Sequence, residues 1–186
     1  MTAATFQSTV NVNLGFGIPG ELIVDGPQRV DTLTLDGNGG TIGLAFTKSN
    51  TTDIATQGGT IVAGTSLFAG ILVNPKVYAS YGAVGGNPLD PTLFLPANSQ
   101  GEFLTMGTIV VNLASSANIG DLVVYNTTTG VLSAIEPTTS PATGYALVPN
   151  AVVWQYPTSA AGLVASDVVF PRCACRFFSR VSSECL

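Results

Sequence analysis

The chain has 186 residues, 46% of them hydrophobic and only 9% charged, with no histidine and a formal net charge of −5. A typical soluble domain is about 25% charged, so part of this surface calls for cover by another protein. The missing imidazole excludes histidine acid–base chemistry, Ser/His and Cys/His nucleophile pairs and the commonest zinc ligand, and a stretch 1–165 whose only cations are Arg29, Lys48 and Lys76 is no nucleic-acid-binding surface.

Along the chain the N-terminal "MTAATFQSTVNVNL" has neither a basic region nor an apolar core, so no signal peptide is visible and a cytoplasmic origin is expected. "TVNVNL" (9–14) alternates as a strand does. "GFGIPG" (15–20) follows and spells the G-x-G-x-x-G spacing of a dinucleotide loop. That loop must open a helix, but Pro19 lies inside the motif and Gly26-Pro27 closes the segment behind it. The three glycines are expected instead to let an extended N-terminal arm, residues 1–20, bend close to a neighbouring backbone.

"VDTLTL" (30–35) and "TIGLAF" (41–46) alternate in hydrophobicity, and "DGNGG" between them reads as a hairpin turn that needs positive φ. "DGNGGT" (36–41) resembles the start of a calcium loop, but the position of the required twelfth-place glutamate holds Thr47. Asp25, Asp31 and Asp36 are close in sequence, and on alternating strands and turns they are expected to face solvent rather than to form a catalytic pair. Residues 48–60 read as a loop. The longest nearly apolar run, "IVAGTSLFAGILV" (61–73), is 13 residues long and interrupted by Thr65 and Ser66, short of the roughly 20 that a spanning helix needs; no membrane is expected as a partner.

"FAGILV" (68–73), "KVYASY" (76–81), "TIVVNL" (108–113), "DLVVYN" (121–126), "GVLSAI" (130–135) and "AVVWQY" (151–156) continue the series of strands. "GAVGGNPLDP" (82–91) and "EPTTSPATG" (136–144) read as loops. The two "NTT" sequons at 50–52 and 126–128 read as turns. Trp154 sits inside a strand pattern and is expected in the core. No window has a helical period. The fold class predicted is therefore all-β, a single β-sandwich or barrel-like domain of short antiparallel strands over 21–165. The tail 166–186 is atypical: it holds all three cysteines and three of the six basic residues. "CAC" (173–175) with Cys185 lacks zinc-ligand spacing and a fourth ligand, and free thiols are expected. No catalytic, cofactor or metal residue is assigned.

Four collinear stretches, "GFGIPGELIVDGPQRVDTLTL", "GTSLFAGILVNPKVYASYG" (64–82), "ANIGDLVVYNTTTGVLSAI" (117–135) and "NAVVWQY…AAGLVA" (150–165), together resemble the capsid cement, or decoration, proteins of tailed bacteriophages. The resemblance spans residues 5–165. It implies an all-β homo-oligomer (dimer or trimer) without enzymatic activity. Such a protein assembles in the host cytoplasm, sits on the outer surface of the head and bridges junctions between major capsid proteins. Under this reading the neighbour of the glycine arm is a capsid subunit or a sister chain, and the candidate contacts are Phe6, Val10, Val12, Leu14, Phe16, Ile18 and Pro19. The same alternation also fits residues that complete the domain's own sheet. A receptor- or carbohydrate-binding β-sandwich module of a fibre or baseplate is the alternative, and it would carry exposed aromatic side chains.

Overall fold

A computed structural model describes residues 17–23, 26–74 and 93–168. Those residues form twelve strands and no helix: β1 (Leu22–Ile23), β2 (Arg29–Leu35), β3 (Gly40–Thr41), β4 (Ala45–Ser49), β5 (Ile54–Gln57), β6 (Ser66–Leu72), β7 (Phe94–Leu95), β8 (Gln100–Leu113), β9 (Leu122–Asn126), β10 (Leu132–Ile135), β11 (Tyr145–Gln155) and β12 (Gly162–Val168). The all-β expectation holds.

The hydrogen-bonded ladder closes twice. One ring runs β8–β2–β5–β4–β6 and back to β8, where Ile71 and Leu72 pair with Leu104 and Phe103. The other runs β8–β12–β11–β9–β10 and returns to β8 at Leu132↔Leu113. Closure removes the unpaired edges through which open sheets aggregate. β8 belongs to both rings: its first half pairs with β2 from Gln100 to Met106, and its second with β12 from Gly107 to Leu113. β3 and β7 form a separate two-stranded ladder.

Each ring has its own core. Leu33, Leu35, Phe46, Ala55, Leu72 and Phe103 fill the first, where the Phe46 and Phe103 rings meet edge to face at 5.2 Å. Ile109, Val111, Leu113, Val123, Tyr125, Leu132, Val153 and Val164 are among those that fill the second. Adjacent residues of a strand face opposite ways, so Phe46, Leu72 and Phe103 enter the first core while their neighbours Ala45, Ile71 and Leu104 enter the second. That wall of the first ring is buried on both faces.

Several local readings are corrected. "DGNGG" does turn, with Gly39 at φ +73° and its N–H bonded to the Asp36 carbonyl. It does not make a hairpin, because β5 lies between β2 and β4. β5 itself falls inside the stretch read as a loop and pairs with β2 in parallel, Thr34↔Ile54 and Leu35↔Ala55. β8, with 14 residues, is not short. The last strand continues past Ala165: Ser166, Asp167 and Val168 stay in register with Ile109, Thr108 and Gly107.

Candidate partner-binding surface

The end of the arm can be traced from Gly17. The Gly20 N–H donates to the Val110 carbonyl at 2.8 Å, its carbonyl accepts from Asn74 N–H at 2.8 Å, and the Glu21 carbonyl accepts from Val110 N–H at 2.8 Å. Gly20 has φ +83°, and a Cβ there would come within 2.3 Å of the Ile42 side chain. Only glycine tolerates both conditions. The backbone that Gly20 approaches is therefore the chain's own sheet, which corrects the reading of a sister chain or capsid subunit at this position. Pro19 lies against Gly43. Ile18, by contrast, is exposed, and its N–H is held by the Glu21 carboxylate at 3.1 Å. Phe6, Val10, Val12, Leu14 and Phe16, with Gly15, lie outside the described residues, as do Asp25, "KVYASY", "GAVGGNPLDP" and the cysteines.

Polar candidates have local duties. The Asp31 carboxylate pairs with Arg29 at 3.3 Å. Asp36 accepts from Asn38 N–H at 2.9 Å, fixing its turn. Asn126 accepts from the N–H groups of Thr128 and Thr129 at 2.9 and 3.0 Å, and Asn50 donates its amide to the Gly64 carbonyl; both sequon asparagines are turn residues. Among the described residues no three acids, cysteines or histidines gather as a metal site. A cleft of about 310 Å³ opens beside the β9–β10 turn, lined by Asp36, Asn38, Thr56, Gln57 and Phe94 among others. Gln57 is already engaged there, accepting from Thr41 N–H and donating to the Thr129 carbonyl.

Chemistry of another kind appears at the far end of β11. Val153 pairs with Ser166 but Gln155 pairs with Ala165, so Trp154 is the extra residue of a β-bulge. A bulge re-aims side chains. Val153 remains in the core at 1% exposure while Trp154 turns outward at 49%, overturning the expectation that the tryptophan is buried. Two residues on, Tyr156 has φ +59° and 47% exposure. Positive φ is a strained conformation for a bulky residue, of order 1–3 kcal/mol, and such strain concentrates at binding sites. The 118–121 turn is fastened beside this bulge: Gly120 N–H donates to the Val153 carbonyl at 2.8 Å and Val153 N–H donates to the Asp121 carbonyl at 2.9 Å. The Asp121 carboxylate in turn holds Asn118 N–H at 2.8 Å. Ile119, on this turn, is 62% exposed. Ile119, Trp154 and Tyr156 thus emerge from one end of the second ring on well-bonded backbone. The sequence gives a weak sign of this irregularity, since Pro149 and Asn150 already interrupt β11 and Asn150 also has positive φ, at 53°.

Comparison with known proteins places the chain in a family. The phage structural cement protein family (E217 gp24/Pam3 gp6) matches residues 6–168.

The chain belongs to this family of cement proteins.

Its fold is also found in a solved chain from "The capsid of Myoviridae Phage XM1", with a TM-score of 0.63 and 18% identity, covering 88% of this chain and 97% of that one. No curated protein matches the sequence directly. The cement protein is accordingly a structural component of a phage capsid, and the family resemblance seen in the four sequence stretches is confirmed. The matched region ends at Val168, where β12 also ends.

Proposed function

We propose that this cement protein binds the outer surface of the head as a small homo-oligomer, dimer or trimer, and ties together neighbouring major capsid proteins without enzymatic activity or cofactor. The observation that carries the reading is the exposure of Trp154 and Tyr156 at the end of β11, with exposed Ile119 on the turn that is bonded to Val153. Trp and Tyr dominate binding hot spots because they bury a large area with few rotamers to fix. The outer face is favoured by charge. Among the described residues eight carboxylates stand against Arg29 and Lys48, and packaged nucleic acid would repel such a surface on the inside of the shell. Linked weak contacts to several subunits raise the effective concentration of each next contact, which suits a protein that reinforces seams. The arm residues Phe6, Val10, Val12, Leu14, Phe16 and Ile18 remain candidate contacts on this reading. Pro19 is also a candidate, at its edge.

The test uses heads stripped of cement protein. Trp154→Ala is expected to weaken cosedimentation with such heads about thirtyfold, the size of a hot-spot truncation, with an unchanged melting temperature because the side chain is outside the core. Antibody against the protein should label intact decorated heads. Wild-type binding by Trp154→Ala would remove the aromatic surface from the contact, and heads that are labelled only after disruption would overturn the outer location. The exposure of Trp154 also favours the sugar-binding alternative, since a free indole face stacks on sugars. Glycan-array signals that vanish in Trp154→Ala would support that alternative instead.

A further inference from the structure

The cleft of about 310 Å³ beside the β9–β10 turn takes no part in the proposed capsid contact. Asp36 and Asn38 reach it from the turn after β2, Thr56 and Gln57 from β5, Phe94 from β7 and Thr128 from the β9–β10 turn. It therefore lies where the two rings meet, and small-molecule sites favour such junctions. Its frame is well fastened. Asp36 N–H donates to the Ala55 carbonyl at 3.0 Å, and the Asp36 carbonyl accepts from the N–H groups of Gly39 and Asn98, both at 3.1 Å. Gln57 accepts from Thr41 N–H at 3.0 Å and spans to the Thr129 carbonyl at 2.7 Å. Thr41 pairs with Phe94 across the small ladder, and the Phe94 ring packs so close to Gly39 that a Cβ there would come within 2.8 Å of it. These bonds leave side chains over. One Asp36 oxygen is spent on Asn38 N–H. Its other oxygen, the Asn38 carboxamide and the hydroxyls of Thr41, Thr56 and Thr128 make no hydrogen bond within the described residues. Exposed polar groups of this kind are commonplace singly; here they share one concave surface with an aromatic ring.

We infer that this cleft binds a neutral sugar, as a free pyranose ring or the end of a short glycan, in addition to the capsid role. The chemistry of the lining selects the ligand. No Lys or Arg lines the cleft, so a phosphate or other anion finds no counter-charge there. Asp36 is its only carboxylate, and no three acids gather as a metal site among the described residues. An aliphatic ligand would take a carboxylate, an amide and several hydroxyls out of water with nothing in exchange. An organic ammonium would use Asp36 and Phe94 alone and leave the amide and the threonines unmatched. A sugar ring answers the whole set. Its hydroxyls donate to the carboxylate and to the amide oxygen, accept from the amide N–H, and do both with threonine, while its C–H face lies against the Phe94 ring. The volume stands at the lower end of the roughly 300–1,000 Å³ of small-molecule sites, which suits a short sugar rather than a long chain.

Saturation-transfer NMR on the full-length protein uses the methyl glycosides of glucose, galactose, mannose and N-acetylglucosamine, with butylammonium as the cationic probe. At least one glycoside is expected to bind wild type. Asn38→Ala and Thr56→Val are each expected to weaken that binding about tenfold, the loss of one good hydrogen bond, and Trp154→Ala to leave it unchanged. Asn38 and Thr56 are exposed, so denaturation midpoints and binding to stripped heads are expected to match wild type in both cleft variants. No binding of any glycoside overturns the inference. So does glycoside binding that survives both cleft variants; if Trp154→Ala abolishes it, the sugar sits on the aromatic surface instead. Binding of butylammonium in place of the glycosides would make this a cation site. Cleft variants that lose head binding while wild type binds no glycoside would assign the cleft to a capsid protein. The capsid role is read separately, from head binding by Trp154→Ala, and neither result decides the other.

Discussion

Tyr125 is the residue on which the second core is most exposed to chemical test. Its ring lies 5.8 Å from that of Phe68, joining β9 to β6 and so one ring to the other. Its hydroxyl is buried with no partner among the described residues, and so is that of Ser166. A buried hydroxyl without a bond is destabilising, by about 1–3 kcal/mol. Tyr125→Phe, which keeps the ring, is therefore expected to leave stability unchanged or raise it by about 1 kcal/mol in denaturant titration. A loss of more than that would mean the hydroxyl is bonded, for instance by a buried water. Burial also raises the hydroxyl's pKa above its ordinary 10.0. The neutral form is thus favoured more in the folded state than in the unfolded one. Stability from this group is fully present below pH 10 and lost as pH rises towards the folded pKa. Wild type should lose more stability than Tyr125→Phe between pH 9 and 11, values bracketing the ordinary tyrosine range; equal slopes would contradict the burial.

Among elements, the turn from β9 to β10 is the clasp between the rings. Gly59 N–H donates to the Thr127 carbonyl at 2.7 Å and Ala45 N–H to the Gly130 carbonyl at 3.0 Å. Gln57 reaches the Thr129 carbonyl at 2.7 Å. Gly130 has φ +73°, and a Cβ there would stand 2.7 Å from the Ala45 carbonyl oxygen. Gly130→Ala is expected to destabilise by about 1–3 kcal/mol through strain and the displaced contact, read as a lower denaturation midpoint; an unchanged midpoint would show that the clasp yields freely. This hairpin was legible in "DLVVYNTTTGVLSAI", because its strands are local, alternate cleanly and meet through a turn-forming sequence. The first half of β8 was not, because Phe103 and Leu104 serve opposite cores and alternation disappears when both faces are buried. β5 was missed although it pairs antiparallel with the neighbouring β4, because its four residues, Ile54 to Gln57, have only Ala55 buried and carry almost no apolar alternation. Trp154 was misplaced because membership of a strand does not give the face: alternation from the buried Ala151 and Val153 turns it outward.

For the whole molecule the ends matter as much as the middle. Truncation after Ala165 removes Ser166–Val168, which pair with β8 and of which Val168 is buried at 3% exposure. Loss of that buried valine and its ladder bonds should lower stability by about 2–4 kcal/mol. Truncation after Val168 spares both, and a loss confined below about 1 kcal/mol there would make residues 169–186 a peripheral extension. Equal losses in the two truncations would deny β12 its place in the fold. The N-terminus divides similarly. Removal of residues 1–16 leaves the Gly20 bonds to Val110 and Asn74, whereas removal of 1–20 takes them away, so the longer deletion confounds loss of a contact arm with loss of sheet. Light scattering of the intact protein should give a small oligomer, since Leu147 and Tyr145, at 42% and 38% exposure, add to the apolar surface needing cover; a monomer at high concentration would argue against self-association.

The strand common to both rings has a mechanical consequence. A shell that strains under internal pressure pulls on whatever bridges it, and a tether fails at its weakest joint. Here the two halves cannot be drawn apart along β8 by unzipping one bond after another. Under a pull directed along the strand, its backbone bonds to β2 on one side of the junction, or to β12 on the other, share the load and must yield together. Sliding either half of β8 past its partner is a shearing failure, and shear resists far more force than peeling does when the same number of bonds is spread along the line of tension.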